Sequence, residues 1–151
     1  MNWIRIASET DVSNGRLVVK QGSLQILLLK ADSRWYAIDN RCPHEGYPLA
    51  EGTLDEHCQL TCNWHNWKFR LADGVCLLGG DHVRAYDVKI EAGEVWIDLS
   101  LPDPQVQQAG ILHGFETAFQ QRDTGRICRE LTRLEFHRLD PEEALRRAIA
   151  W

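Results

Sequence analysis

Two short stretches decide how this chain folds: residues 42–46, which read CPHEG, and residues 62–67, which read CNWHNW. Each stretch places one cysteine close to one histidine, and seventeen residues separate the two pairs, so that the pattern is C-x-H-x17-C-x2-H. Two thiolates and two imidazoles on two loops form the donor set of a mixed nitrogen and sulfur metal site. The four candidate ligands are Cys42, His44, Cys62 and His65.

Zinc and iron are the two metals that this donor set suits. A zinc finger usually groups cysteine with cysteine and histidine with histidine, whereas here each stretch supplies one residue of each type. If each stretch gives its cysteine to one iron and its histidine to another, both irons of a sulfide-bridged pair complete their ligand sets. The mixed spacing therefore favours a two-iron cluster, with zinc as the alternative.

The first hundred residues are predicted to form many short strands, a small all-β sandwich or partial barrel. Gly-, Asn- and Asp-containing turns such as SNG, ADS, ADG and EAG separate the apolar segments. The predicted strands are RLVVK (16–20), LQILLLK (24–30), WYAID (35–39), CQLTC (58–62), AYDVKI (85–90) and EVWIDL (94–99).

The pattern changes after the prolines of LPDP, residues 101–104. Apolar residues then recur at helical spacing in three groups, so we expect a helical C-terminal extension over residues 101–151. Asp140 and Pro141 are a typical start for the last helix. The apolar positions of the three predicted helices are Leu112, Phe115 and Phe119, then Ile127, Leu131 and Leu134, then Leu145, Ala148 and Ile149.

Charge and composition restrict the class of protein. The chain has 151 residues and a formal net charge of −5 without a strongly basic segment, so nucleic acid is not an expected partner. The longest apolar run, LQILLL, is too short to span a bilayer. Five cysteines without a secretory signal argue for free thiols and a cytoplasmic location. Cys58, Cys76 and Cys128 are expected to pack as small apolar side chains, since four other residues complete the ligand set.

Over roughly residues 1–100 the sequence resembles the Rieske family. The resemblance runs through CPHEGYPLAEGTL (42–54), CNWHNWKF (62–69), ADGVC (72–76) and YDVKIEAGEVWIDL (86–99). It implies one [2Fe-2S] cluster per chain, with Cys42 and Cys62 on the buried iron, and His44 and His65 on the outer iron. The expected fold is then an all-β Rieske-type sandwich or partial barrel with a C-terminal α-helical extension.

The chain departs from the respiratory members of that family at several positions. Those members join their two cluster loops with a disulfide, but the corresponding positions here hold Tyr47 and Trp64. A serine that donates to sulfide in the high-potential members is replaced by Trp67. These differences predict a low-potential centre, at about −150 mV. Gly46 and Asn66 are expected to adopt left-handed backbone conformations, Trp64 and Trp67 to shield the cluster, and residues 77–81 to form the third loop.

A cluster without substrate-binding machinery implies an electron carrier rather than an enzyme. The expected function is that of a Rieske-type ferredoxin, which passes single electrons from a reductase to a terminal oxygenase or another redox enzyme. The alternative is a non-catalytic subunit that is permanently docked to a catalytic partner through its helical tail. In either case, residues 105–151 are expected to pack on the β-domain or to mediate a homo-oligomer or a stable complex.

Overall fold

The computed structural model describes residues 1–150, and these form two compact units. The first unit is Met1–Ser100, and the second begins at Leu101. In the part of the chain that is described, no helix is both long and apolar enough to cross a membrane.

The first unit consists of three antiparallel sheets. The strands are β1 (Trp3–Ser8), β2 (Arg16–Gln21), β3 (Leu24–Ala31), β4 (Arg34–Asp39), β5 (Thr53–Leu54), β6 (Gln59–Thr61), β7 (Lys68–Arg70), β8 (Cys76–Leu78), β9 (Ala85–Tyr86), β10 (Val88–Glu91) and β11 (Glu94–Asp98). The first sheet has the order β1-β11-β10, the second β2-β3-β4-β9 and the third β5-β6-β7-β8.

The second sheet is buried on both faces, which explains the continuous apolar run in β3. Leu27 and Leu29 belong to a core shared with the third sheet, whereas Ile26 and Leu28 belong to a core shared with the first sheet. Successive residues of a strand point to opposite faces, so a strand between two layers needs apolar residues at every position. The core next to the third sheet also contains Cys42 and Cys62, one cysteine from each Cys-His stretch.

The predicted all-β fold with a helical C-terminal region is confirmed, and the six predicted strands are present with small changes in length. AYDVKI forms two strands, β9 and β10, because the chain leaves the second sheet at Tyr86 and enters the first at Val88. Four short strands, β1, β5, β7 and β8, were not predicted from the sequence. Three of these contain only two or three residues, too few for a recognisable alternation.

The second unit contains three helices: α1 (Pro104–Gln120), α2 (Thr124–Phe136) and α3 (Pro141–Ile149). Each begins after an aspartate whose side chain accepts a hydrogen bond from a backbone amide of the first turn: Asp103, Asp123 and Asp140. The predicted start of α3, with Asp140 as the cap and Pro141 in the first turn, is confirmed. Such caps stabilise helices that are short for independent folding.

The helices bury their apolar faces against one another, an arrangement not considered in the sequence-based interpretation of the tail. The core of this unit is formed by Ile111, Leu112, Phe115, Leu134, Ala144 and Ala148, with Phe119, Ile127 and Leu139 packed against it. The predicted stripes of α2 and α3 are partly wrong, because Leu131, Leu145 and Ile149 are exposed. Arg126 and Glu130 are buried instead, on the same face of α2 as Leu134.

Candidate metal centre

The two Cys-His stretches form loops with the same backbone construction. We name residues 42–47 the first loop and residues 62–67 the second loop. In each, the cysteine amide donates to the carbonyl five residues later, at 2.9 Å in the first loop and 2.7 Å in the second. The amide four residues later donates back to the cysteine carbonyl, at 2.7 and 2.9 Å. The two loops are therefore equivalent turns, each tied to its own cysteine.

Gly46 and Asn66 occupy the same position in these two turns, four residues after the cysteine. Their φ angles are 76° and 61°, as predicted for both. Glycine reaches this region freely, and asparagine is among the few other residues that tolerate it. This shared conformation lets each loop turn sharply after its histidine.

The two cysteines lie at the bottom of the loops. Cys42 is 3% exposed and Cys62 is 1% exposed, and both belong to the core next to the third sheet. Burial raises the pKa of the Cys42 thiol to about 11, and a hydrogen bond with Cys62 acts in the same direction. The amides of His44 and Glu45 point at the Cys42 sulfur and oppose this effect. Two neighbouring buried sulfurs, one of them with amide donors, are suited to bind a cation as thiolates.

The histidines of the two loops come together, with their Nδ1 atoms 2.9 Å apart. The rings meet edge to face, with centroids 4.4 Å apart. His44 is half-buried, whereas the His65 side chain is 39% exposed. Two Nδ1 atoms this close together can approach a shared ligand. The Glu45 carboxylate lies 3.9 Å from Nε2 of His65.

The two tryptophans of the second loop have different environments. The indole of Trp67 is half-buried and stacks on the imidazole of His44, with centroids 4.6 Å apart and planes inclined by 26°. The indole of Trp64 is 59% exposed and stands edge-on to His65 at 5.8 Å. Shielding was predicted for both residues, but only Trp67 is substantially covered.

Tyr47 and Trp64 contact each other across the two loops. Their ring centroids are 5.3 Å apart, and the Tyr47 hydroxyl donates to Glu51 at 2.8 Å. These are the two positions at which respiratory Rieske proteins are expected to have a disulfide, so an aromatic contact joins the loops here instead. The sequence comparison identified both residues but gave no indication that they pair.

The segment predicted as the third loop, residues 77–81, begins in β8 and continues past its end. Leu77 and Leu78 are exposed, and Gly79 lies directly against the indole of Trp67. This segment therefore contacts the site through Trp67. Gly79 permits this close packing because it has no side chain.

The three remaining cysteines differ in burial. Cys58 and Cys76 are half-buried against the core beneath the loops, as predicted. Cys128 is exposed on α2, so the packing predicted for it is wrong. The Tyr36 hydroxyl donates to the Cys58 sulfur at 3.8 Å. None of the five cysteines, all within the described residues, forms a disulfide. His82 accepts a hydrogen bond from the Cys76 amide through Nδ1 at 2.9 Å.

Comparison with known proteins agrees with this geometry. The model of the Rieske [2Fe-2S] domain matches residues 2–89. The 3-phenylpropionate/cinnamic acid dioxygenase ferredoxin subunit of Escherichia coli (strain K12) is 32% identical over 106 residues, which is 69% of this chain and 100% of that protein. The ferredoxin component of the alkene monooxygenase system of Xanthobacter autotrophicus (strain ATCC BAA-1158 / Py2) is 30% identical over 105 residues, covering 64% of this chain and 81% of that one.

A solved structure shows the same fold. The ferredoxin of Sphingomonas yanoikuyae B1 superposes with a TM-score of 0.59 and 26% identity, covering 66% of this chain and 100% of that chain. The family model, the relatives and the superposition thus agree. The chain belongs to the Rieske [2Fe-2S] family, whose domain contains a [2Fe-2S] cluster.

Proposed function

We propose that Cys42 and Cys62 bind the buried iron of the cluster and that His44 and His65 bind the outer iron. The main support is the separation of the donors by depth. The sulfurs lie together in the core, whereas the Nδ1 atoms of the two histidines meet nearer the surface. The matching turns of the two loops present one ligand of each type from each side.

When bound, a [2Fe-2S] cluster supplies one-electron chemistry, because it accepts and releases a single electron. The surrounding residues set the conditions for that chemistry. The amides of His44 and Glu45 direct hydrogen bonds at the Cys42 sulfur and thereby stabilise its negative charge. The core residues around Cys42 and Cys62 exclude water.

The proposed function is electron transfer as a Rieske-type ferredoxin, between a reductase and a terminal oxygenase or another redox enzyme. The two relatives described above are named as ferredoxin components of a dioxygenase and of an alkene monooxygenase system. In this role the chain is a non-catalytic component that supplies electrons to an enzyme. A cytoplasmic location is consistent with five thiols that form no disulfide.

Partners are expected to dock at the exposed edge of His65. Trp64 and Glu45 flank this edge, one with a large exposed indole and the other with a carboxylate. Exposed aromatic residues are frequent anchors of protein interfaces, and a rim charge mainly affects the rate of association. We therefore expect a partner surface with an apolar recess and a basic rim.

Metal analysis and electron transfer together test the proposal. Protein purified without oxygen should contain two irons and two acid-labile sulfides per chain, whereas one zinc without sulfide would contradict the ligand assignment. The midpoint potential should be about −150 mV and insensitive to pH near neutrality. A potential about 300 mV more positive would show that other hydrogen bonds compensate for the missing serine and disulfide.

The docking surface is tested by substitution. Trp64→Ala should slow electron transfer to the partner recovered from the native cell and leave the midpoint potential unchanged. Val18→Ala, at an exposed position on β2, is the control and should change neither quantity. Equal transfer rates for Trp64→Ala and the unmodified protein would contradict docking at this edge.

The alternative function is that of a subunit permanently docked to a catalytic partner through the helical unit. We assign residues 1–100 to the Rieske domain and residues 101–151 to a helical extension. The observation that favours the alternative is a group of exposed apolar side chains in the described part of the extension: Val106, Leu131, Phe136, Leu145 and Ile149. The same unit has a groove of about 560 Å³, which is lined by residues from the end of α2 and the start of α3. Co-purification with a tagged full-length chain, compared with a chain lacking residues 105–151, distinguishes the two functions.

A further inference from the structure

Trp67 connects the two cluster loops through different parts of the same residue. Its carbonyl accepts the Cys62 amide at 2.7 Å, so its backbone is fixed to the second loop. Its indole stacks on His44, which belongs to the first loop. A movement of Trp67 would therefore change the surroundings of one proposed ligand from each loop.

Gly79 fixes the indole from a third segment. Its φ angle is 135°, a conformation that side-chain-bearing residues rarely adopt. A Cβ at this position would lie 2.5 Å from Cγ and from Cδ2 of Trp67, closer than real Cβ contacts allow. Only glycine lets the backbone approach the ring this closely, so the position of the indole depends on Gly79.

The two histidines therefore differ in how firmly their rings are held. His44 is stacked against the indole of Trp67, whose backbone is bonded to Cys62 and whose ring lies against Gly79. His65 is more exposed and meets Trp64 edge-on, and Trp64 is itself largely in solvent. Aromatic stacking favours one ring arrangement over others by about two- to tenfold.

We propose that Trp67 is a positioning residue that fixes the imidazole plane of His44, and that Gly79 holds Trp67 in place. This inference rests on the proposed function, because the ring plane matters only if His44 is a cluster ligand. The orientation of a ligating imidazole is usually set by its neighbours and affects the electronic properties of the metal. In this chain a stacked indole sets it.

The test uses electron paramagnetic resonance of the reduced full-length protein. The measured quantities are the g-values, the line widths and the ¹⁴N hyperfine coupling of the histidine ligands. In Trp67→Leu we expect altered g-values, broader lines and a changed coupling for one of the two nitrogens. Trp67→Phe retains an aromatic ring and should restore most of the unmodified spectrum. A purely structural role for Trp67 would change stability in both variants without this spectral difference.

Gly79→Ala provides a second, independent perturbation. Its Cβ displaces the indole, so it should reproduce the spectral changes of Trp67→Leu. In the Trp67→Leu background it should add little, because the ring it displaces is already absent. Gly93→Ala is the matched control: Gly93 has a φ of 77° with open space around it, so backbone strain alone should leave the spectrum unchanged.

Two different failures are distinguishable. Absence of any ¹⁴N coupling in the unmodified protein would overturn the ligand assignment itself. Normal coupling in the unmodified protein, with identical spectra for Gly79→Ala and the unmodified protein, would overturn the positioning role alone. If Trp67→Leu does not retain iron, the spectra of Trp67→Phe, Gly79→Ala and Gly93→Ala are compared instead. An altered spectrum in Gly79→Ala alone supports the positioning role, and identical spectra in all three variants overturn it.

Discussion

The two units of this chain obtain their order in different ways. In the β-unit, Cys42 and Cys62 lie in a core of large aliphatic residues, beneath loops whose turns are specified by Gly46 and Asn66. In the helical unit, the core contains alanines and is completed by a buried charged residue, Glu130. The β-unit thus places two proposed ligands in an aliphatic core, whereas the helical unit combines a small apolar core with a buried carboxylate and an aspartate cap on each helix.

The largest expected effect is the loss of a proposed buried ligand. Cys42→Ser or Cys62→Ser should abolish the visible absorption of the cluster and destabilise the β-unit, since metal binding and folding are coupled. Iron and sulfide analysis with thermal unfolding measures both effects.

Cys128→Ser is the matched control for the cysteine variants, because Cys128 is exposed on α2. It should keep two irons and two sulfides per chain. An intact cluster in Cys62→Ser would contradict the ligand assignment.

The second largest expected effect is the destabilisation of the helical unit by a change at Glu130. Glu130 is fully buried, and Arg133 donates to its carboxylate at 3.1 Å. Its carboxylate lies so close to Gly114 that a Cβ there would be 3.2 Å away. The Arg133 side chain is 47% exposed, so only the carboxylate of this pair is buried. Loss of a hydrogen bond to such a charged group costs about 1.5–3 kcal/mol. Glu130→Gln keeps the volume and removes the charge, so we expect a destabilisation at the lower end of this range.

Loss of helical signal on heating, with the visible absorption recorded in parallel, measures the Glu130→Gln effect. Glu116→Gln is the control, because its ion pair with Arg147 at 2.7 Å lies nearer the surface. Such pairs contribute about 0–1 kcal/mol. Equal destabilisation by the two variants would show that the buried position of Glu130 has no special importance.

These two regions also show what the sequence could and could not predict. The ligand pattern identified the family, and the expected turns at Gly46 and Asn66 are present, because a left-handed turn restricts residue type strongly. The buried face of α2 was misassigned, because hydrophobic periodicity favours Leu131 and gives no sign that Arg126 and Glu130 are buried. The burial of a carboxylate in a helical core depends on how the helices pack, which is a tertiary property.

The aromatic contact between the loops was missed for a related reason. Tyr47 and Trp64 are seventeen residues apart in sequence, and nothing in either loop specifies that their rings meet. The contact arises only after the two equivalent turns are placed side by side. Local propensities predict turns, but they do not predict which side chains meet across them.

A smaller effect is expected from the Tyr47–Trp64 contact. Aromatic pairs contribute about 0.5–1.5 kcal/mol beyond the area they bury. Tyr47→Ala should therefore destabilise the cluster loops by about 1 kcal/mol, seen as faster loss of visible absorption in the presence of an iron chelator. Tyr47→Phe keeps the ring and removes the hydrogen bond to Glu51, so it separates the two contributions. If Tyr47→Phe loses the cluster as quickly as Tyr47→Ala, the hydrogen bond to Glu51 rather than the ring contact stabilises the loops.

The smallest effect on the cluster is expected from deleting residues 105–151. The helices bury their apolar faces in a core of their own, and the E. coli relative is matched over its whole length by about two thirds of this chain. The β-unit should therefore keep its visible absorption, midpoint potential and unfolding temperature without the helices. If the extension assembles the protein with a partner, the deletion should abolish oligomerisation or co-purification while these cluster properties remain. A truncated chain that loses its iron, together with a full-length chain that is monomeric in solution, would instead show that the helices brace the β-unit.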